Sequence, residues 1–143
     1  MSFSSFNLSG RTALITGASK GIGFAIAREF AQAGATLMLC SRGEEALAEA
    51  AERLRGETGV TVETCRADMA SRREVERVAG EARRRFEVID ILVNNAGWNI
   101  PQSIDKIEDK DWDYTVELNL GAAMAMTRAL APGMKQRRWG RII

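Results

Sequence analysis

The sequence predicts an α/β fold, a doubly wound parallel sheet with helices on both faces, truncated after about its fifth strand. Three observations carry this. Short β-rich apolar runs alternate with longer stretches of helical period along the chain. Helices between successive strands imply right-handed crossovers, and therefore parallel pairing. The first strand, Thr12 to Thr16, runs into the turn Thr16-Gly17-Ala18-Ser19-Lys20-Gly21-Ile22-Gly23, which opens the first helix.

Each element has its own signal. Thr12 to Thr16 is β-branched and apolar. Ile22 to Ala33 places Ile22, Ala25, Ile26 and Phe30 on one helical face, and Gly34 ends it. Thr36 to Cys40 is apolar after its first residue, as a strand covered on both faces must be. Glu44 to Arg55 turns Leu47, Ala50, Ala51 and Leu54 inward, and Thr61 to Ala67 reads as the third strand. Ser71-Arg72-Arg73-Glu74 has capping-box spacing, and Val75, Val78, Ala82 and Phe86 continue that helix. Ile89 to Val93 reads as the fourth strand. One long helix is expected from about Glu108 to Met134, and Arg141-Ile142-Ile143 opens a fifth strand.

Composition narrows the function classes. A chain of 143 residues suits one domain, residues 1–143, with a real core. A net charge of +1 gives no bulk attraction to nucleic acid or an anionic membrane. Arg83-Arg84-Arg85 is flanked by Glu81 and Glu87 and has no aromatic platform, so it reads as a solvated helix face. No apolar run approaches the length of a membrane span, and Met1 to Gly10 lacks the pattern of a signal peptide. Cys40 and Cys65 are spaced unlike a metal site and suit free thiols in a cytoplasmic protein. The absence of histidine excludes Ser-His-Asp hydrolysis, the Cys-His pair and most catalytic zinc sites. No metal site is expected.

In the glycine turn, Gly17 would permit the tight bend, Gly21 would admit phosphate close to backbone, and Gly23 would let helix and strand pack closely. An ordinary strand-to-helix turn is the competing reading. The spacing Gly-x-x-x-Gly-x-Gly decides between them in company with three further motifs. Asn94-Asn95-Ala96-Gly97 ends the fourth strand, Asp68-Met69 follows the third, and Asn119 stands in Leu118-Asn119-Leu120. Together these resemble the short-chain dehydrogenase/reductase family, over nearly all of this chain and only the N-terminal part of a typical member.

The resemblance implies a Rossmann-type, dinucleotide-binding domain with strand order 3-2-1-4-5. It implies cofactor contacts from Gly17, Ser19, Lys20, Gly21, Ile22, Gly23, Ser41, Arg42, Asp68, Met69, Asn95, Ala96 and Gly97, and it makes Asn119 a member of the catalytic group. It also implies a homo-oligomer and a small-molecule carbonyl or alcohol substrate, with no nucleic-acid or membrane partner. The family's catalytic serine and Tyr-x-x-x-Lys pair would lie past Ile143. Tyr114 is the only tyrosine and is followed four residues later by Leu118, so it reads as an amphipathic-helix residue. These 143 residues are therefore expected to lack catalysis by themselves. The alternative is a non-catalytic nucleotide-binding or interaction module.

Cofactor choice turns on the end of the second strand. Arg42 stands 21 residues beyond Gly21, where an NAD-selective site of this type carries a carboxylate. A guanidinium there would pair with a 2′-phosphate, and Lys20 could reach the same group. NADP(H) is the implied cofactor, with NAD(H) through Glu44 or Glu45 as the alternative. Ser41-x-x-Glu44 also has capping-box spacing, so Ser41 could simply start the helix.

Overall fold

The structure, a computed structural model, describes residues 6–143. The signal-peptide reading of the N-terminus rests partly on residues 1–5, which lie outside the described residues. Strand β1 (Thr12–Thr16) leads into α1 (Gly21–Gln32), and β2 (Thr36–Ser41) into α2 (Glu44–Thr58). Then come β3 (Val62–Arg66), α3 (Arg72–Arg85) and β4 (Ile91–Val93). A 3₁₀ turn (Ile104–Lys106) precedes α4 (Asp109–Val116), a π-helical turn (Glu117–Gly121), α5 (Ala122–Gln136) and β5 (Arg141–Ile142). The five strands form one parallel sheet in the order β3-β2-β1-β4-β5, as the alternation of strand and helix requires.

Strand periodicity sorts the core into two layers. Leu14, Met38, Cys40, Cys65 and Leu92 face α3 and α5, meeting Val75, Val78, Ala82, Met126 and Leu130. Ala13, Ile15, Leu37, Leu39, Ile91 and Val93 face α1 and α2, meeting Ala27, Ala31, Leu47, Ala51 and Leu54. Both faces of β1 and β2 are therefore buried. Ile15 lies opposite Val93, and Thr16 opposite Cys40, so the carboxyl ends of the central strands open side by side.

Three expectations need correction. The fourth strand is shorter than Ile89 to Val93. Just before β4, the Asp90 carboxylate accepts the Thr12 N–H at 3.0 Å and an Arg11 N–H at 3.3 Å, while the Asp90 N–H donates to the Thr12 carbonyl at 2.9 Å. The Ser41–Glu44 capping box does not form. Ser41 closes β2, its hydroxyl donates to the Gly43 carbonyl, and Gly43 is the residue that caps α2. The long helix is not continuous, because one π-helical turn at Glu117–Gly121 separates α4 from α5. A Cβ at Gly121 would come within 2.5 Å of the Glu117 carboxyl carbon, so the widened turn seats that side chain over a glycine. Glu117 also pairs with Arg72 of α3 at 2.7 Å, which ties the π turn to the neighbouring helix.

Candidate nucleotide-binding site

The glycine turn is built by backbone conformations that side chains disfavour. Gly17 (φ +66°) and Gly21 (φ +58°) both lie in the left-handed region. Lys20 caps α1 with extended backbone and gives no side-chain cap, so the first-turn N–H groups are left for an external acceptor. A Cβ placed on Gly21 would meet nothing within 4 Å, so this backbone is open to the cleft. The reverse holds at Gly23, where a Cβ would collide with the Gly17 carbonyl and come within 2.5 Å of Asn95 Nδ2. An anion seated here meets free N–H groups at the positive end of a helix dipole.

The loop after β4 is locked onto this turn. The buried Thr16 hydroxyl donates to the Val93 carbonyl at 3.3 Å and accepts the N–H groups of Asn95 and Ala96 at 3.1 and 3.0 Å. Asn95 Nδ2 donates back to the Thr16 and Gly17 carbonyls at 3.0 and 3.1 Å. Asn119, carried by the π turn, continues the chain of contacts. Its amide nitrogen donates to the carbonyls of Trp98 and Thr115 at 2.7 and 2.8 Å. A Cβ on Gly97 would lie 2.6 Å from Asn119 Oδ1, so that position requires glycine for close approach.

The end of β2 carries the charge. Arg42 is exposed, and its Nη1 donates to the Tyr114 hydroxyl of α4 at 2.7 Å. Its carbonyl accepts Arg66 Nε at 3.0 Å. Among the described residues, neither Arg42 nor Lys20 is held in an ion pair. Glu44 and Glu45 are exposed in the first turn of α2 and do not line the cleft. Asp68 uses its carboxylate locally, accepting the Ala70 N–H at 3.0 Å, while its own N–H donates to Glu74 at 2.6 Å. That hydrogen bond, with Arg77, Arg66 and Arg73 nearby, holds the Glu74 carboxyl below its usual range against a smaller opposing desolvation. Glu74 therefore serves the Asp68 loop, and the capping box at Ser71 is one-sided, with the hydroxyl accepting the Glu74 N–H.

A cleft of about 550 Å³ spans these carboxyl ends. Gly17, Ser19, Lys20, Gly21, Ile22, Ser41, Arg42, Met69, Asn95, Ala96 and Gly97 all line it. Gly23, Asp68 and Asn119 do not line it, serving as packing, loop and loop-anchoring residues respectively. The walls also include Gly43, Ala46, Ala67, Trp98 and Leu118. The apolar ones flank motif residues, and only that adjacency could have indicated them. Beneath Met69, the Cys40 thiol donates to the thioether sulfur at 3.6 Å. Burial, with smaller help from Cys65, pushes this thiol up to about 12, so it packs and does not react. A larger hollow of about 1050 Å³, lined by Leu8, Phe30, Ile91 and Trp139 among others, includes no residue of the glycine turn.

The sequence profile described as short chain dehydrogenase matches residues 11–143. The chain is 40% identical over 136 residues to a D-beta-hydroxybutyrate dehydrogenase of Cupriavidus necator, covering 95% of this chain and 52% of that one. It is 43% identical over 138 residues to nodulation protein G of a Rhizobium species, covering 96% and 55%. The crystal structure of L-sorbose reductase from Gluconobacter frateurii, complexed with NADPH and L-sorbose, superposes with a TM-score of 0.92. Identity there is 41%, over 96% of this chain and 52% of that one. A metagenomic short-chain oxidoreductase in complex with NADP gives a TM-score of 0.90 at 32% identity, over 94% and 61%. The chain thus spans about half the length of the curated relatives it matches.

Proposed function

This chain belongs to the short-chain dehydrogenase family, and from that membership we propose that it is the NADP(H)-binding part of an oxidoreductase acting on a carbonyl or secondary alcohol. The observation that carries the cofactor reading is the pairing of an uncapped, glycine-cleared helix N-terminus with a guanidinium just past β2 that no carboxylate among the described residues pairs with. The α1 N–H groups would take the pyrophosphate, with Gly21 allowing the approach. Arg42 and Lys20 would hold the 2′-phosphate, where a carboxylate would instead have chosen a ribose hydroxyl. Ala67, Met69 and Leu118 offer an apolar floor for a base, and the backbone of Asn95, Ala96 and Gly97 borders the ribose. The NADPH- and NADP-bound relatives support this reading.

When bound, a nicotinamide cofactor supplies or accepts the hydride of such a reaction. The residues of this chain contribute binding and position. Asn119 holds the Trp98 carbonyl and so fixes the loop at the mouth of the cleft. Reduction of a carbonyl also needs a proton at the developing alkoxide, from a group whose pKa is matched to the task. The chain has no histidine, and its only tyrosine, Tyr114, does not line the cleft. We therefore assign proton delivery to residues outside these 143, and expect no turnover of NADPH by them alone.

Two features support the remaining parts of the reading. Trp112, Val116, Leu120 and Met124 are exposed apolar side chains along α4, the π turn and α5, which suits a homo-oligomer. A sharp monomer in sedimentation velocity at tens of micromolar would count against it. Cys40 and Cys65 are both buried and free, which suits the cytoplasm, and recovery in an extracellular fraction would oppose that. No helix among the described residues is long and apolar enough to cross a membrane. The deciding experiment for the cofactor is a titration of Arg42→Ala with NADPH and NADH. NADPH affinity should fall by more than tenfold and NADH affinity by much less; equal losses would remove the case for 2′-phosphate recognition.

A further inference from the structure

We propose that Tyr114 is a positioning residue for 2′-phosphate recognition, holding the Arg42 guanidinium in place from α4. The inference rests on the NADP(H) reading above and adds a residue that no motif marks.

Arg42 is an exposed side chain with several free torsions, and ordering such a group opposes every contact it makes. The structure anchors it at both ends. Its carbonyl accepts Arg66 Nε at 3.0 Å, and its Nη1 donates to the Tyr114 hydroxyl at 2.7 Å. Tyr114 can serve as a fixed post because its body is immobilised. It is half-buried and packs against the core layer shared by α3 and α5. The two residues are 72 positions apart, so the bond links the end of β2 to α4.

The chemistry of the acceptor matters. A carboxylate in the place of Tyr114 would neutralise the guanidinium and compete with a phosphate. A phenol accepts one N–H and leaves the full positive charge uncompensated. Arginine has five N–H donors, so four remain after this bond, including the edge formed by Nε and Nη2. That edge suits bidentate contact with a phosphate. Lys20, also free of ion pairs among the described residues, lies on the same cleft. Tyr114 thus orients the arginine without lowering the local potential.

The test uses 2′,5′-ADP and 5′-AMP, which differ by the 2′-phosphate alone, titrated calorimetrically into the purified wild-type protein, Tyr114→Phe, Arg42→Ala and the double variant. Phenylalanine keeps the ring packing and removes only the acceptor. Wild type should prefer 2′,5′-ADP. Tyr114→Phe should cut that preference roughly 2- to 10-fold, the range for one net hydrogen bond, with 5′-AMP affinity held. In the Arg42→Ala background the tyrosine change should do nothing further. A preference unchanged in Tyr114→Phe but lost in Arg42→Ala overturns the role of Tyr114 and leaves the cofactor reading standing. A rise in preference overturns it also, since the bond would then restrain Arg42 away from phosphate. Equal losses for both ligands would make Tyr114 merely structural. No preference in wild type would remove the cofactor reading and this inference with it.

Discussion

Thr16→Val tests whether the β1 turn and the β4 loop are one cooperative unit. The substitution replaces a hydroxyl by a methyl at nearly constant volume, in a residue only 2% exposed. The hydroxyl makes three hydrogen bonds, at 3.3, 3.1 and 3.0 Å. Each is worth about 1 kcal/mol net, and a buried partner left unsatisfied adds to that. The Asn95 and Ala96 N–H groups are only partly buried, so water can recover some of the loss. We expect a destabilisation of about 2–4 kcal/mol, against a typical total of about 5–15 kcal/mol. The variant should fold, with a lower urea midpoint and an unchanged m-value. Hydrogen exchange at the Asn95 and Ala96 amides should quicken most. Thr16→Ser is the control, since it keeps the hydroxyl and loses one methyl, about 1 kcal/mol. A valine variant within 0.5 kcal/mol of wild type, or a serine variant equally damaged, would refute the argument.

Two further outcomes follow from the geometry. Gly23→Ala puts a Cβ against the Gly17 carbonyl and Asn95 Nδ2, so it should cost about 1–3 kcal/mol by overpacking and abolish nucleotide binding; retained binding in a fluorescence titration would contradict the packing role. Glu74→Gln should lower the thermal midpoint at neutral pH. Its carboxyl is held below 4.5 in the folded protein, so its contribution is present above that pH and is lost as pH falls through the lowered folded value. The gap between variant and wild type should therefore close in acid, and a gap constant with pH would refute the assignment.

The fold was legible because its determinants are local. The β2 sequence Leu37 to Cys40 is apolar at every position, and the structure buries all four. That pattern suits a strand covered on both faces, as in a parallel sheet, and the crossovers then restrict the order. Element boundaries were less legible where side chains stand in for backbone. β4 begins two residues later than expected, just after Asp90, whose carboxylate takes the Thr12 N–H, a contact between residues 78 positions apart. Likewise Ser41 and Ser71 have the same capping-box spacing, yet only Ser71 caps. Ser41 stays in the ladder opposite Arg66 of β3, so β2 outlasts its local helix signal.

The candidate site divides along the same line. Glycines of the turn declare themselves through spacing, because each must meet a backbone condition. What the sequence could not convey is which polar side chains are already committed. Asp68 reads as a ligand by its position, and one of its carboxylate oxygens accepts the Ala70 N–H. Tyr114 reads as a surface helix residue, but its hydroxyl receives the arginine that gives the cleft its charge. The π turn explains the gap at Asn119. A continuous α-helix keeps residues in fixed angular steps, whereas one widened turn offsets everything after it. Helical periodicity alone therefore cannot state where the Asn119 amide points. The structure gives that direction through two carbonyls, Trp98 and Thr115, one in the loop and one in the preceding helix turn. An asparagine so engaged has no amide N–H left to offer a ligand, since both hydrogens of its nitrogen are spent on those carbonyls. A catalytic part for Asn119 would therefore run through the loop it fixes, its amide oxygen facing Gly97, or its backbone.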